Sequence, residues 1–178
     1  MQDEAELVRR AKQGDEAAFA QLYEAYFDKI YRYVAIRMGD KMEAEDITQQ
    51  VFLKAIKAIS SFKWKGVPFS AWLFRIAHNQ VVDYLRKTKK RISVPLKESL
   101  VADGGDDPHE IFDRKLDIER LGAATKRLTL AQQEVISLRF AAEMSVTQVA
   151  GVMGRSEGAV KALQHSAIVA LRKVLSVT

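Results

Sequence analysis

The residue types that most often carry catalysis or metal binding are sparse in this sequence. None of its 178 residues is cysteine, which excludes a thiolate zinc site, a cysteine nucleophile and a disulfide scaffold, and fits a reducing cytosolic setting. His78, His109 and His165 stand far apart, and none has a second histidine at the spacing that brings two imidazoles onto one metal. His109-Glu110 has no histidine four residues on, and no Walker or dinucleotide glycine pattern occurs,. No catalytic residue, metal ligand or cofactor is assigned.

Positive charge interleaved with aromatic rings points to a different chemistry. Lys54, Lys57, Phe62, Lys63, Trp64, Lys65 and Phe69 share one short stretch. A tryptophan between two lysines suits an unpaired nucleic-acid strand, because its ring offers a face for a base to stack on while the ammonium groups hold the backbone. A flipped base needs a pocket formed by such a loop. The plainer alternative is that Phe62, Trp64 and Phe69 only cap a hydrophobic core. Phe69 suits that role as a staple before Ser70, whereas Trp64 is expected to be exposed. Further on, Arg86, Lys87, Lys89, Lys90 and Arg91 form a basic run. Such a run is commonly a solvated helix end favoured by the dipole, but beside this loop it would extend a positive track for phosphates.

A second constellation closes the chain. A short apolar segment from Val146 to Met153 ends at Gly154, and Ser156 can cap a further helix. Two helices joined by a three-to-four-residue turn containing glycine outline a helix-turn-helix, whose second helix enters the major groove by its N-terminal residues. The outward positions of its first turns are Glu157, Lys161, Ala162, Gln164 and His165, with Arg155 at the mouth and Ser156 as cap. Lys161 could bond a guanine edge or a phosphate, and Gln164 or His165 could reach further bases. Any antiparallel helix pair with a solvated face would give the same spacing.

The elements that must position these residues are all helical. Phe19, Leu22, Tyr23, Tyr26, Ile30, Tyr33 and Val34 recur at steps of three and four, with Asp15 as N-cap and Gly39 as stop,. Asp40 and Glu43 resemble a capping box before the stripe Ile47, Val51, Ala55 and Ile59,. Residues 60–69, with Gly66 and Pro68, read as a loop. Ser70 then caps a helix buried through Leu73, Ile76, Ala77, Val81 and Leu85. Asp107-Pro108 opens the next helical segment, and Thr129 with Gln132 and Ser145 with Gln148 fit two capping boxes. The last helix turns Val160, Leu163, Ala167, Leu171 and Val174 inward.

Charge divides the chain in the same way. The net charge is only +5, yet residues 1–91 carry 17 basic and 12 acidic side chains, 92–113 carry one and six, and 114–178 carry 10 and five. Two basic lobes therefore flank an acidic, glycine- and proline-containing bridge that should not bury a core. The expectation is an all-α protein of two small helical domains, 1–91 and 114–178, joined by a flexible acidic linker, 92–113. The longest apolar run, Ala167 to Leu171, falls far short of the ~20 residues that cross a bilayer. The N-terminus is acidic where a leader would be basic. An intracellular, cytoplasmic protein with no membrane insertion is expected.

Four segments, in order, resemble the extracytoplasmic-function sigma factors of bacterial RNA polymerase, over nearly the whole chain. Gly14-Asp-Glu-Ala-Ala-Phe-Ala-Gln-Leu-Tyr23 is similar to the family's region 2.1, and Ala44-Glu-Asp-Ile-Thr-Gln-Gln-Val-Phe-Leu-Lys-Ala55 to region 2.2. Residues Phe69 to Arg86 resemble regions 2.3 to 2.4, and Val146 to His165 the region 4 helix-turn-helix. The resemblance implies a region 2 helical bundle and a region 4 helix-turn-helix, and a subunit that binds core RNA polymerase at its clamp and flap, recognises −35 and −10 promoter elements and assists melting. It assigns Asp46, Gln49, Gln50 and Phe52 to the clamp. It assigns Phe62, Lys63, Trp64, Lys65, Asn79, Arg86 and Lys87 to the −10 element, and Arg155 to His165 as named above to the −35 element. An anti-sigma factor is the further partner it implies.

Two departures from the family pattern stand out. Many members carry arginines where this chain has Leu163, Ser166 and Ile168, so its −35 contact should draw less on phosphate charge. Gln50 replaces a frequent acidic residue. Three rival readings remain: a regulator using the helix-turn-helix alone, which leaves the basic-aromatic loop unexplained; an enzyme; and a helical adaptor without a nucleic-acid role, which salt-dependent DNA binding would distinguish.

Overall fold

A computed structural model describes residues 3–89 and 118–176. The acidic stretch 92–113, the helix start at Asp107-Pro108 and the basic residues Lys90 and Arg91 lie outside them. The described residues form eight α-helices: α1 (Glu4–Lys12), α2 (Glu16–Met38), α3 (Lys41–Ala58), α4 (Phe69–Lys89), α5 (Ile118–Thr125), α6 (Leu130–Ile136), α7 (Val146–Met153) and α8 (Glu157–Ser176). A 3-10 turn, Ile59–Ser61, continues α3, and a π-helical segment, Ser137–Ala141, continues α6. No strand occurs among the described residues.

Local chemistry sets most of the helix ends. Asp15 accepts from the Ala18 amide and Gly39, in the left-handed region at φ 71°, closes α2. Asp40 accepts from the Glu43 amide, but only this half of the expected capping box forms. Both Thr129/Gln132 and Ser145/Gln148 make complete boxes, the glutamine side chain returning to the cap amide, and each such cap contributes about 1 kcal/mol. Gly154, at φ 64°, ends α7, and the Ser156 hydroxyl accepts from Ala159 N–H at 3.2 Å. Helix α4 differs from expectation: it starts at Phe69, not after a Ser70 cap, and the Pro68 carbonyl accepts from Trp72 N–H. Helix α1 is an addition. Two turns are too few for periodicity to show, yet Leu7, Val8 and Ala11 are buried against α2.

Helices α1 to α4 form the first lobe and α5 to α8 the second. The expected stripes face inward: Leu22, Ile30 and Val34 on α2, Ile47, Val51 and Ala55 on α3, Leu73, Ala77 and Val81 on α4, and Val160, Ala167 and Leu171 on α8 are all buried. Each of the leucine, isoleucine and valine side chains among them contributes about 1.5–3 kcal/mol relative to exposure. A one-sided stripe does not describe the end of α2, where every residue from Tyr33 to Met38 is buried. A helix covered all round needs neighbours on all sides. The second lobe supplies them: α5 and the π-helical segment pack on α2, and α7 packs on α4. Where α5 crosses, a Cβ on Gly122 would lie 3.0 Å from the Gly39 Cα, so glycine permits the close approach. The Thr125 hydroxyl beside it lies 3.1 Å from the Ile36 carbonyl oxygen and 2.9 Å from that of Gly122.

Candidate nucleic-acid interface

The loop between α3 and α4 is held from below by rings. Phe62 is 2% exposed and meets Trp64, Trp72 and Phe69 at centroid distances of 5.0, 5.3 and 5.8 Å. Such pairs add about 0.5–1.5 kcal/mol each beyond the buried area. Lys12 of α1 donates to the Phe62 carbonyl at 2.6 Å, and Gly66, at φ 69°, folds the tip so that its amide reaches the Trp64 carbonyl. The result is a fixed perch for Trp64, which stays 45% exposed with Lys63 and Lys65 exposed on either side. Phe62, expected among the −10 residues, is a core residue under the perch. The split follows from geometry: the side chain that anchors a loop cannot also present its face to a ligand.

Helix α4 carries the rest of that constellation along one line. Arg75, Asn79, Val82 and Arg86 recur at helical spacing and are exposed, as is Lys87. Arg86 pairs with Asp83 at 3.0 Å on the surface, a contact that contributes little. Asn79 lies ten residues into the helix, about 15 Å along its axis from Phe69. The line faces the second lobe: Arg75 donates to the Gly151 carbonyl of α7 at 3.0 Å, and Val82 and Arg86 line a cavity that Val152, Met153 and Arg155 close from the other side.

On α3, Asp46, Gln49 and Gln50 are exposed, whereas Phe52 is 5% exposed with its ring 4.6 Å from Tyr23. Phe52 therefore holds the helix in place and is not part of its outer face. That face includes three large apolar side chains missed in the sequence reading, Met42, Leu53 and Ile56, exposed by 78%, 57% and 45%. The signal was available: α3 carries more apolar residues than one stripe needs.

The helix-turn-helix pair is α7 and α8. Arg155, Ser156, Glu157, Lys161, Ala162 and His165 are exposed, and Gln164 is half-buried. Glu157 accepts from the Thr147 hydroxyl at 2.8 Å, joining the first turn of α8 to α7. Gln164 accepts from Arg139 Nε at 2.8 Å, while Arg139 Nη1 donates to the Met144 carbonyl. Arg139 sits on the π-helical segment and braces α8 against the turn. Nothing at short range pairs residues 25 apart, which is why sequence spacing passed over it.

Between the lobes lies a buried polar cluster that the sequence reading did not find. Glu134 of α6 is 3% exposed, as is Arg37 of α2. The Tyr33 hydroxyl donates to the Glu134 carboxylate, 2.9 and 3.0 Å from its two oxygens, and Arg37 Nη1 donates to Oε2. His78 Nδ1 lies 2.9 Å from Oε1 without hydrogen-bond alignment. Burial alone would raise the Glu134 pKa; the His78 imidazole and the Arg37 guanidinium overcome it and hold the carboxyl below its ordinary value,. The Tyr33 phenol is pushed well above its usual range by burial and by the Glu134 charge. Elsewhere between the lobes, Glu143, a non-glycine residue in the left-handed region at φ 57°, lies 3.9 Å from both Lys29 and Arg32 of α2. Among the described residues no helix is long and apolar enough to cross a membrane.

The chain matches the family model of sigma-70 region 2 over residues 22–91 and that of sigma-70 region 4 over residues 124–173. It is 40% identical to the ECF RNA polymerase sigma factor BldN of Streptomyces coelicolor over 96% of its own length, and spans 65% of BldN. It is 31% identical to the ECF RNA polymerase sigma factor SigW of Bacillus subtilis, covering 94% of each chain. Its fold matches CnrH in complex with the cytosolic domain of CnrY, at a TM-score of 0.73, 24% identity and 96% of both chains. It also matches the sigma factor RpoE in complex with the anti-sigma factor NepR from Bartonella quintana, at 0.69 and 24% identity, over 89% of this chain and 97% of that one.

Proposed function

This chain belongs to the extracytoplasmic-function sigma factors, and from that premise we propose that it binds core RNA polymerase, recognises −35 and −10 promoter elements and assists promoter melting in the cytoplasm, the chemistry of RNA synthesis remaining with the polymerase. The observation that carries this reading is the pairing, on one chain and in order, of a region 2 lobe that raises Trp64 between two lysines with a region 4 lobe that presents a helix-turn-helix. Trp64 takes a base of the opened −10 strand on its exposed ring, and Lys63, Lys65, Asn79, Arg86 and Lys87 hold the adjoining backbone. Arg155, Ser156, Glu157, Lys161, Ala162 and His165 meet the −35 duplex, and Arg139 sets the Gln164 amide among them. Asp46, Gln49 and Gln50, with the exposed Leu53 beside them, form the polymerase-facing side of α3. The division into 1–91, a linker of 92–113 and 114–178 belongs to the same reading, as does an anti-sigma partner, which the complexes of CnrH and RpoE support.

The two lobes must part for this work. The elements they read lie about two dozen base pairs apart, roughly 80 Å at about 3.4 Å per pair, whereas Arg86 and Arg155 line one cavity. The structure is thus the closed form, and the seam is what opening must break. Transcription with purified chain and core polymerase on genomic fragments tests the central reading: promoter-dependent transcripts that require the chain are expected, and their absence from every fragment rejects it.

A further inference from the structure

The cavity between the lobes has a volume of about 700 Å³, within the ~300–1,000 Å³ usual for small-molecule sites, which favour domain interfaces. Its walls come from different lobes and are apolar. Val82 and Leu85 of α4 face it from one side, and Leu130, Val152 and Met153 of α6 and α7 from the other. Val82 and Leu130 remain 39% and 54% exposed, so the apolar surface is not consumed by the packing of one lobe on the other.

Its polar groups are of one prevailing sign. Arg86 and Arg155 reach it from opposite walls. Arg155 is exposed, and the bond from Arg86 to Asp83 uses one of its two terminal nitrogens. Glu134 also lines the cavity, but its carboxylate is already paired with Arg37 and accepts from the Tyr33 hydroxyl. Arg37, which also lines the cavity, is 3% exposed and its Nε–H has no acceptor. A buried donor without a partner costs on the order of 1–3 kcal/mol, and a ligand acceptor, direct or through water, would relieve it.

We propose that this groove binds a small monoanionic amphiphile, with its apolar body between the Val82 and Leu130 walls and its anionic head between Arg86 and Arg155. A ligand touching both walls favours the closed form by its whole differential affinity. On the sigma-factor reading, on which this consequence rests, it holds back promoter engagement.

Titration of the full chain with decanoate below its micelle concentration, followed by calorimetry and by methyl NMR, tests the site. Decanoate is expected to bind and to shift the methyl signals of Val82, Leu130 and Met153. Decanol, which lacks the charge, should bind about two- to fivefold more weakly, the scale of one exposed charge pair. Leu130→Glu sets a carboxylate at the first turn of α6, where a helix tolerates it, and should weaken decanoate by a similar factor without unfolding the lobe. Equal affinity for decanol, signals shifting elsewhere, or a dimer by light scattering with the groove as its interface would each overturn the proposal. In transcription assays, decanoate should inhibit the wild-type chain and spare Leu130→Glu. Transcripts that ignore decanoate refute the regulatory consequence, whereas the absence of transcripts without ligand refutes the sigma-factor reading instead.

Discussion

The tip of the first lobe and the seam between the lobes use the same residue types in opposite ways. At the tip the rings are packed beneath and the cations stand in water: Phe62 and Phe69 are 2% and 1% exposed, while Lys63 and Lys65 are exposed. At the seam Arg37 and Glu134 are each 3% exposed, while large apolar side chains, Val82 and Leu130, remain open to water. An apolar contact is stable in proportion to the surface it removes from water, and breaking it exposes all of that surface again. A buried ion pair loses hydration of comparable size to the attraction it gains, so letting both charges return to water costs little net. The tip is built to stay, whereas at the seam the charged pair adds little net hold and what resists parting is the apolar part of the contact, Val34, Ala35, Ile36 and Met38 of α2,.

The largest effect should come from breaking the seam on one side. Glu134→Ala leaves Arg37 buried without its partner, a loss of about 3–5 kcal/mol in comparable pairs. Because the lobes can separate, the expected outcome is opening, seen as a larger radius of gyration in small-angle scattering with the helical content kept. A variant that stays closed and equally stable would show that the Arg37–Glu134 pair does not hold the seam. Replacing the whole cluster sharpens the comparison. Tyr33→Phe, Arg37→Met and Glu134→Leu together remove the buried ion pair and the phenol bonded to it at little change in volume, and such exchanges are neutral or stabilising by about 1–4 kcal/mol. The triple variant should stay closed and lose promoter-dependent initiation while each lobe keeps its own stability. Undiminished initiation would show that closure does not compete with function.

The tip was largely legible in the sequence because its signals are local. Gly66 and Pro68 mark the loop, and lysines flanking Trp64 mark its chemistry. The seam was not, because Glu134 reads as an ordinary polar residue on an amphipathic helix until Tyr33 and Arg37, about a hundred residues away, are folded against it. The run from Tyr33 to Met38 did hold a clue, being apolar around the helix at every position but Arg37. Phe62 and Phe52 were placed on binding faces because a loop has no period and α3 has two apolar faces, one dry and one outward through Met42, Leu53 and Ile56. Most caps were readable too, since each depends on residues three apart, with Ser70 the exception because α4 begins one residue earlier at Phe69.

A smaller effect separates anchor from platform within the tip. Trp64→Ala should weaken binding to a pre-melted −10 strand by about 1–3 kcal/mol, the value of one base stacked on a ring, and change binding to duplex far less. Its effect on thermal unfolding should be slight, since the ring is 45% exposed. Phe62→Ala removes the floor and should lower the stability of the first lobe. Equal loss on single strand and duplex for Trp64→Ala would remove its stacking role and leave it as a second anchor.

The finest division between the regions is their response to acid. Glu134 has its folded pKa below the ordinary 4.5, so its contribution to closure is fully present above that value and is lost as pH falls from there through the folded pKa. Asp15, also depressed by the Ala18 amide and by Arg10, loses its contribution as pH falls below its own ordinary 3.8, but lies far from the seam, so the wild type alone cannot separate them. The difference in closure between the wild type and Glu134→Gln, measured by scattering at each pH, removes the Asp15 part. Repeating it with His78→Gln in both chains removes the neighbouring imidazole. That difference should be flat at neutral pH and shrink as the pH drops below about 4.5, while lysine-flanked Trp64 keeps its exposure throughout. A difference that grows with acidity would mean that Glu134 is protonated in the closed form, and the seam would then be a neutral hydrogen-bonded contact with no reason to part more readily than the tip.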